Sequence, residues 1–144
     1  MTKNAHQKTL HASCVLIKTD GVLILGASGS GKSSLALRLM GLGGRLIADD
    51  QTILTYHNDQ IIATCPGTIK GKIEARGVGI INVNSKKCAQ ISIIVHMGST
   101  AKERMPKNET YNLFGVDLPL IRSVPLDAFA EAVYYSVVGS LERE

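Results

Sequence analysis

The 144-residue sequence has no tryptophan, two phenylalanines and four tyrosines. Nucleic-acid binders stack bases on aromatic side chains beside a basic stripe. Here the aromatics are scarce and the lysines and arginines scattered, so nucleic acid is not an expected partner. Three cysteines, Cys14, Cys65 and Cys88, make no Cys-x-x-Cys pair and are odd in number. They read as reduced thiols of a cytoplasmic protein, and Cys14, inside an apolar run, is expected in the core. No apolar run nears the ~20 residues of a membrane span. The opening stretch MTKNAHQKTLHAS also lacks the apolar segment of a secretory leader. No membrane partner is expected.

What the sequence has is an ordinary globular balance: 44% hydrophobic and 19% charged residues, with a net charge of +4. Its length suits one domain, residues 1–144, with 1–9 expected as a disordered N-terminus. A chain of this size buries about two-thirds of its unfolded surface and needs no staples. Lys70, Lys72, Arg76, Lys86 and Lys87 form a loose basic cluster. It is either a solvated face or a docking surface for an acidic or phosphate-bearing partner.

SCVLIKTDGVLILG reads as two short strands with a tight turn at Thr19-Asp20-Gly21, since Asp-Gly accepts the positive φ of a hairpin. The strand ending at Leu25 therefore expects an antiparallel partner. Leu35, Leu39 and Leu42 share one face of a helix from Lys32 to Leu42, which Gly41, Gly43 and Gly44 end. RLIADD is a short strand. QTILTYHNDQIIATC is a second hairpin turning at His57-Asn58-Asp59, and VGIINV and ISIIVHM are further strands. Residues 98–120 show little pattern and are expected as loop. Asp127 can cap a last helix running to about Ser140, with Phe129, Val133 and Val137 on one side.

The stretch GASGSGKS, residues 26–33, fits G-x-x-x-x-G-K-[ST], between an apolar strand and a helix. Each part has a physical reason. The glycines let the backbone curl, so that the N–H groups of Gly26, Ala27, Ser28, Gly29, Ser30 and Gly31 can face phosphate oxygens. The helix N-terminus adds roughly half a positive charge. Lys32 reaches the β and γ phosphates, and Ser33 offers a hydroxyl to Mg²⁺. The loop therefore reads as a cradle for a nucleoside triphosphate.

Two carboxylates, Asp49 and Asp50, end the strand RLIADD. Beside a phosphate cradle, such a group can hold Mg²⁺ or take a proton from an attacking hydroxyl. In IEARGVGIINV, residues 73–83, Glu74 and Arg76 precede Gly77 and Gly79. A carboxylate and a guanidinium there can serve a metal and a phosphate. The Asn-Lys-x-Asp of a GTPase and the Leu-Ser-Gly-Gly of a transport ATPase are both missing. KERMPK, residues 102–107, is the nearest candidate for a kinase lid. The hairpin leading into the loop counts against the all-parallel P-loop core.

Together these stretches resemble bacterial HPr kinase/phosphorylase. The matching pieces are His11 in LHAS, GASGSGKS, RLIADD and EARGVGIINV. The last is similar to that family's signature, E-[IV]-R-G-[LV]-G-I-[IL]-[DN]-V. The resemblance covers residues 10–125. It implies an α/β fold, a P-loop-containing mixed sheet similar to phosphoenolpyruvate carboxykinase. It also implies an ATP- and Mg²⁺-dependent serine kinase for the phosphocarrier HPr, which in many members also removes the phosphate with inorganic phosphate. By the same resemblance Lys32 lies on the β and γ phosphates, Ser33 and Glu74 are the Mg²⁺ ligands, and Asp49 is the proton acceptor. His11 stands near that acid, Arg76 touches phosphate, and Arg104 steadies the transferring group. The family forms hexamers, so a homo-oligomer is expected.

There are departures. Position 34 is Ser where the family commonly has Glu, and position 75 is Ala where it has Ile or Val. A separate N-terminal domain and a C-terminal helical tail are not evident, as in the short form of some Gram-negative bacteria. Two other readings stay open at this point: a small-molecule kinase on the same P-loop, and a non-catalytic ATP-binding regulatory module.

Overall fold

A computed structural model describes residues 6–100 and 103–143, with the side chains of 99 and 100 outside that description. In chain order the strands are β1 (His6–Leu10), β2 (Ala12–Ile17) and β3 (Asp20–Leu25), then helix α1 (Lys32–Gly41) and strands β4 (Arg45–Ala48), β5 (Thr52–His57) and β6 (Gln60–Thr64). There follow β7 (Lys72–Ala75), β8 (Gly79–Asn82), β9 (Cys88–Thr100), β10 (Thr110–Leu113), β11 (Val116–Ser123) and helix α2 (Phe129–Val138).

Nine strands form one mixed sheet, in the order β1-β5-β6-β9-β3-β2-β4, with β11 also beside β9 and β10 beside β11. β7 and β8 make a separate antiparallel pair. The thirteen-residue β9 is the spine. It runs parallel to β3 through Ile91–His96, antiparallel to β6 through Cys88–Gln90, and parallel to β11 from Ile94 onward. Because successive side chains alternate across a strand, apolar runs such as CVLI and VLIL fill both faces of the sheet. One core gathers Cys14, Leu23, Ile47, Leu54, Ile61 and Ile94. The other gathers Val15, Val22, Ile24 and Val95 under Leu35 and Leu39 of α1 and Phe129 and Val133 of α2.

The antiparallel partner expected for the strand before the P-loop is β2. The turn falls earlier than Asp-Gly suggested, however. Lys18 and Thr19 make it, with Lys18 at φ 58°, and Asp20 and Gly21 are already paired in β3. Gly21 is required for packing instead: a Cβ there would stand 2.6 Å from the carbonyl oxygen of Gln90. The second hairpin turns at Asn58 and Asp59, both at positive φ, as expected of a two-residue turn.

Three expectations are corrected. Of residues 1–9, expected as a disordered N-terminus, 6–9 lie in strand β1, which pairs with β5 along its whole length; residues 1–5 lie outside the described residues. The stretch 98–120, expected as loop, contains β10 and most of β11. Asp127 does not cap α2: Ala128 stands at the N-cap, with no side-chain cap hydrogen bond.

β1 and β2 are nearly one strand, bent at His11, and β4 and β5 are nearly one strand, bent at 49–51. The two bends face each other. Leu10 pairs with Thr52 before the bend and Cys14 with Ala48 after it, so the same register carries through and Ser13 stands opposite Asp49. The sheet turns a corner here, and the corner lies beside the start of α1.

Candidate active site

Gly26 leaves β3 at φ 148° and the loop closes at Gly31, φ 105°, which stands at the N-cap of α1 without a side-chain cap. The first N–H groups of a helix have no intrahelical partner, so the start of α1 presents donors to the loop's concave side. Gly26 cannot be replaced cheaply: a Cβ would stand 2.5 Å from Ser30 Oγ and 2.9 Å from the carbonyl oxygen of Met97. Ser30 Oγ is buried and has no hydrogen-bond partner in the protein. Buried polar atoms are almost always paired, but this hydroxyl packs against Gly26 and Ser30 does not line the cavity of the site.

Lys32, 6% exposed, donates from Nζ to the carbonyl oxygens of Gly26 (2.8 Å) and Ala27 (3.0 Å). An ammonium has three N–H groups. Two hold the loop's shape and the third is left for another acceptor.

Asp49 is the hub. It is 6% exposed, and its Oδ1 accepts from Ser33 Oγ (2.7 Å) and Ser13 Oγ (2.8 Å). Its Oδ2 accepts from the backbone N–H of Glu74 (3.3 Å). The carboxylate thus ties together β2, β7 and the first turn of α1. The thiol of Cys65 is pushed up from its ordinary value by burial; Lys70 pulls it down, and the charge of Asp49 pushes it up again.

Asp50 differs. Its side chain is 65% exposed and its Oδ1 lies 2.7 Å from His11 Nε2. Its φ is 70°, and the N–H of Gln51 donates to the carbonyl oxygen of Asp49 at 2.8 Å. That is the hydrogen bond of a γ-turn, and a positive φ at its centre is the strained variety. His11, expected near Asp49, lines the same cavity and pairs with the adjacent Asp50.

These groups line one open cavity of about 730 Å³, with His11, Asp49 and Asp50 at the strand corner, Ser28, Gly29 and Gly31 to Ser34 along the loop, and Glu74, Ala75 and Arg76 across from them. Glu74, paired with Ile80, and Arg76, in the turn, are exposed at the tip of the β7–β8 hairpin, where Val78 is 78% and Ile80 66% exposed. Of the residues marked out in the sequence, Arg104 is not brought in. It is exposed in the bend after β9 and does not line the cavity. Sequence reasoning also missed Ser13, fully buried between the two aspartates. Nothing in its local context signals a role, since only the strand register brings it there.

Among the described residues no three His, Cys, Asp or Glu side chains gather as a metal cage. Mg²⁺ does not need one, because it is held by one or two carboxylates together with hydroxyl, phosphate and water oxygens. The Ser33–Asp49 pair, with Glu74 nearby, is such a partial set.

The family profile described as HPr serine kinase C-terminal domain matches residues 2–128. The chain belongs to that family. The HPr kinase/phosphorylase of Xylella fastidiosa (strain M12) is 35% identical over 133 residues, covering 81% of this chain and 42% of its own length. The same figures hold for that of Xanthomonas campestris pv. campestris (strain B100). The chain therefore spans less than half the length of these curated relatives. Among solved structures, the Hpr(Ser) kinase/phosphatase of Coxiella burnetii superimposes with a TM-score of 0.78 at 28% identity, over 91% of this chain and 88% of that one. The strand-dominated curled sheet with its P-loop is thus the fold of the HPr kinase family, of the phosphoenolpyruvate carboxykinase-like class expected from the sequence.

Proposed function

We propose that the chain is an ATP- and Mg²⁺-dependent serine kinase whose acceptor is HPr. The observation that carries this reading is one open cavity walled by a P-loop on one side and the His11–Asp50 pair on the other, bridged by Asp49. The names of the relatives supply the acceptor, HPr.

In this reading the triphosphate lies against residues 26–33, with Lys32 on the β and γ phosphates and the loop's backbone N–H groups donating to them. Mg²⁺ would be held by Ser33, Asp49 and Glu74, where it neutralises charge on the phosphates. The acceptor serine oxygen bonds to the γ-phosphorus, the bond to the bridging oxygen breaks, and ADP leaves. The serine proton passes to a carboxylate.

Asp49 was the acid implied by the family resemblance, but Asp50 suits the proton better. Both oxygens of Asp49 already accept hydrogen bonds and its carboxylate is buried, whereas Asp50 opens to the cavity with His11 holding one oxygen. Asp49 then positions Ser33 and the metal. Arg76 faces the phosphates, and Arg104 is left without a role in this account. Positioning and charge neutralisation supply most of the acceleration in such transfers. The reverse step uses the same groups: phosphate attacks phosphoserine, the serine oxygen recovers its proton, and pyrophosphate forms.

A protein acceptor is favoured over a small molecule by the rim. Val78 and Ile80 are exposed at the hairpin tip, beside the residues Glu74 to Arg76 that line the cavity. Apolar side chains outside a cavity do nothing for a metabolite within it, but a docked protein covers them.

The test is mass spectrometry of purified HPr after incubation with ATP, Mg²⁺ and this protein, then with added inorganic phosphate. A gain of one phosphoryl group on serine supports the reading. Transfer to components of a metabolite extract and none to HPr would select a small-molecule kinase. ATP binding without any transfer would select a regulatory module.

A further inference from the structure

We infer that Ser13 is a positioning residue that aims the carboxylate of Asp50 by holding the backbone of its strained turn. Its hydroxyl, fully buried, donates to Asp49 Oδ1 at 2.8 Å and accepts from the N–H of Asp50 at 3.2 Å. One atom therefore touches both aspartates, the side chain of the first and the main chain of the second.

The consequence of removing it falls unevenly. Asp49 keeps Ser33 on Oδ1 and the N–H of Glu74 on Oδ2, so its carboxylate stays oriented without Ser13. Asp50 has a different dependence. Its φ of 70° is one that a non-glycine residue holds only when its surroundings impose it. Three contacts from one short stretch do so here. His11 takes the Asp50 side chain at 2.7 Å, Ser13 takes its N–H, and the Ala12 carbonyl between them accepts from Thr52 Oγ1 at 2.8 Å, just past the turn. His11 and Ser13 are two apart at the strand bend, so both can reach the same side. His11 grips the end of the side chain and Ser13 its root.

The rate arm of the test rests on the kinase reading; the amide arm does not. In the full-length chain, Ser13→Ala is expected to lower kcat for phosphoryl transfer to HPr by about 10- to 100-fold, as a misplaced catalytic group does. The KM for ATP should stay within about two-fold and Ser13→Thr, which keeps the hydroxyl, should recover most of the rate. In an Asp50→Asn background the same Ser13→Ala change should cost less than about two-fold, because a residue acting through Asp50 has nothing left to act on. An equal loss in both backgrounds overturns the inference, as does an unchanged kcat in Ser13→Ala or an Ala-like rate in Ser13→Thr. Independently of any turnover, the Asp50 amide of the unmodified protein should be protected from hydrogen exchange and its proton signal should move upfield in Ser13→Ala. A fast-exchanging Asp50 amide in the unmodified protein overturns the inference even if the alanine variant does not fold. Should the unmodified protein fail to phosphorylate HPr, the functional reading falls while the amide result still judges the role of Ser13.

Discussion

Ser33 in the first turn of α1 donates its hydroxyl to Asp49 Oδ1 at 2.7 Å, tying the end of the phosphate loop to the end of β4. The opposite oxygen accepts from the N–H of Glu74. An amide at position 49 can keep its carbonyl oxygen on the Glu74 N–H only by turning its NH₂ toward the Ser13 and Ser33 hydroxyls, which must then accept instead of donate, and the negative charge is gone. Asp49→Asn is expected to lose about 100-fold or more in transfer, to bind nucleotide without Mg²⁺ within a few-fold, and to be less stable by about 1 kcal/mol as charge-assisted hydrogen bonds become neutral ones. Transfer assays, binding in EDTA and urea melts measure the three. Full transfer in this variant would remove Asp49 from the site.

Asp50→Asn separates the two acids. Loss of a general base costs about 10²–10⁴-fold. The exposed Asp50 carries no buried hydrogen-bond network of its own, so its loss should fall on kcat and leave both Mg²⁺ dependence and thermal stability nearly unchanged. His11→Gln should show a smaller loss of the same kind. A variant at 50 that transfers at the unmodified rate would return the proton-acceptor role to Asp49.

Gly26 separates the loop's shape from its charge. Gly26→Ala puts a methyl group where Ser30 Oγ and the Met97 carbonyl oxygen already stand, at a φ of 148° that disfavours a side chain. The loop must shift, and ATP affinity measured by calorimetry is expected to fall about ten-fold or more as the phosphate donors lose alignment. Ala27→Gly, at the next and exposed position, should not weaken binding beyond about two-fold. Equal affinities for Gly26→Ala and the unmodified chain would mean that phosphate does not contact this loop.

The parts of the site legible in the sequence are those written in consecutive residues. GASGSGKS is followed by its own helix, and each functional donor lies within one turn of the next, so no long-range contact is needed to infer the cradle. Asn58-Asp59 likewise announces its own turn. Strands β1, β10 and β11 were hidden because they are edge or near-edge elements with mixed composition. HQKTL meets a partner on one side alone, and VDLPLIRS carries Pro119 and exposed Asp117. An edge strand such as β1 has one row of hydrogen bonds and little apolar surface to bury, so its sequence need not alternate cleanly; β11 pairs on both sides and buries Leu118, Leu120 and Ile121, and Pro119 masks its pattern. Ser13 and the pairing of His11 with Asp50 were illegible for another reason: they follow from the register between two bent strands about 40 residues apart in sequence, which no local pattern encodes.

Val78 and Ile80 give the acceptor's side of the proposal its own test. Val78→Asp with Ile80→Asp changes no buried contact, since the inward residues of the hairpin are Ile73 and Ile81. ATP affinity and melting temperature are expected to stay as they are. The KM for HPr should rise about ten-fold or more, because truncating or charging an apolar anchor at an interface typically costs at least ~1–2 kcal/mol. An unchanged KM would mean that the acceptor docks elsewhere on the rim.

The three thiols should rank by burial, and that ranking also predicts alkaline behaviour. Cys14 is completely buried and its thiol is pushed far above the ordinary range by loss of solvation. Cys65 is partly buried and raised for the same first cause, with Lys70 acting against and Asp49 with it, while Cys88 is exposed. A thiol-specific reagent at pH 8 should label Cys88 first, Cys65 slowly, and Cys14 only as the chain unfolds, because the thiolate is the reacting form. For stability, the folded state holds the Cys14 proton through a range in which the unfolded chain, with a thiol pKa near ~8.5, has released it. The unfolded state then binds fewer protons, so stability falls as pH rises above about 8.5. Thermal melts between pH 7 and 10 should show this decline, and Cys14→Ala, starting from a lower melting temperature because a packed side chain is shortened, should decline less steeply. Parallel slopes for the two chains would locate the alkaline loss outside Cys14.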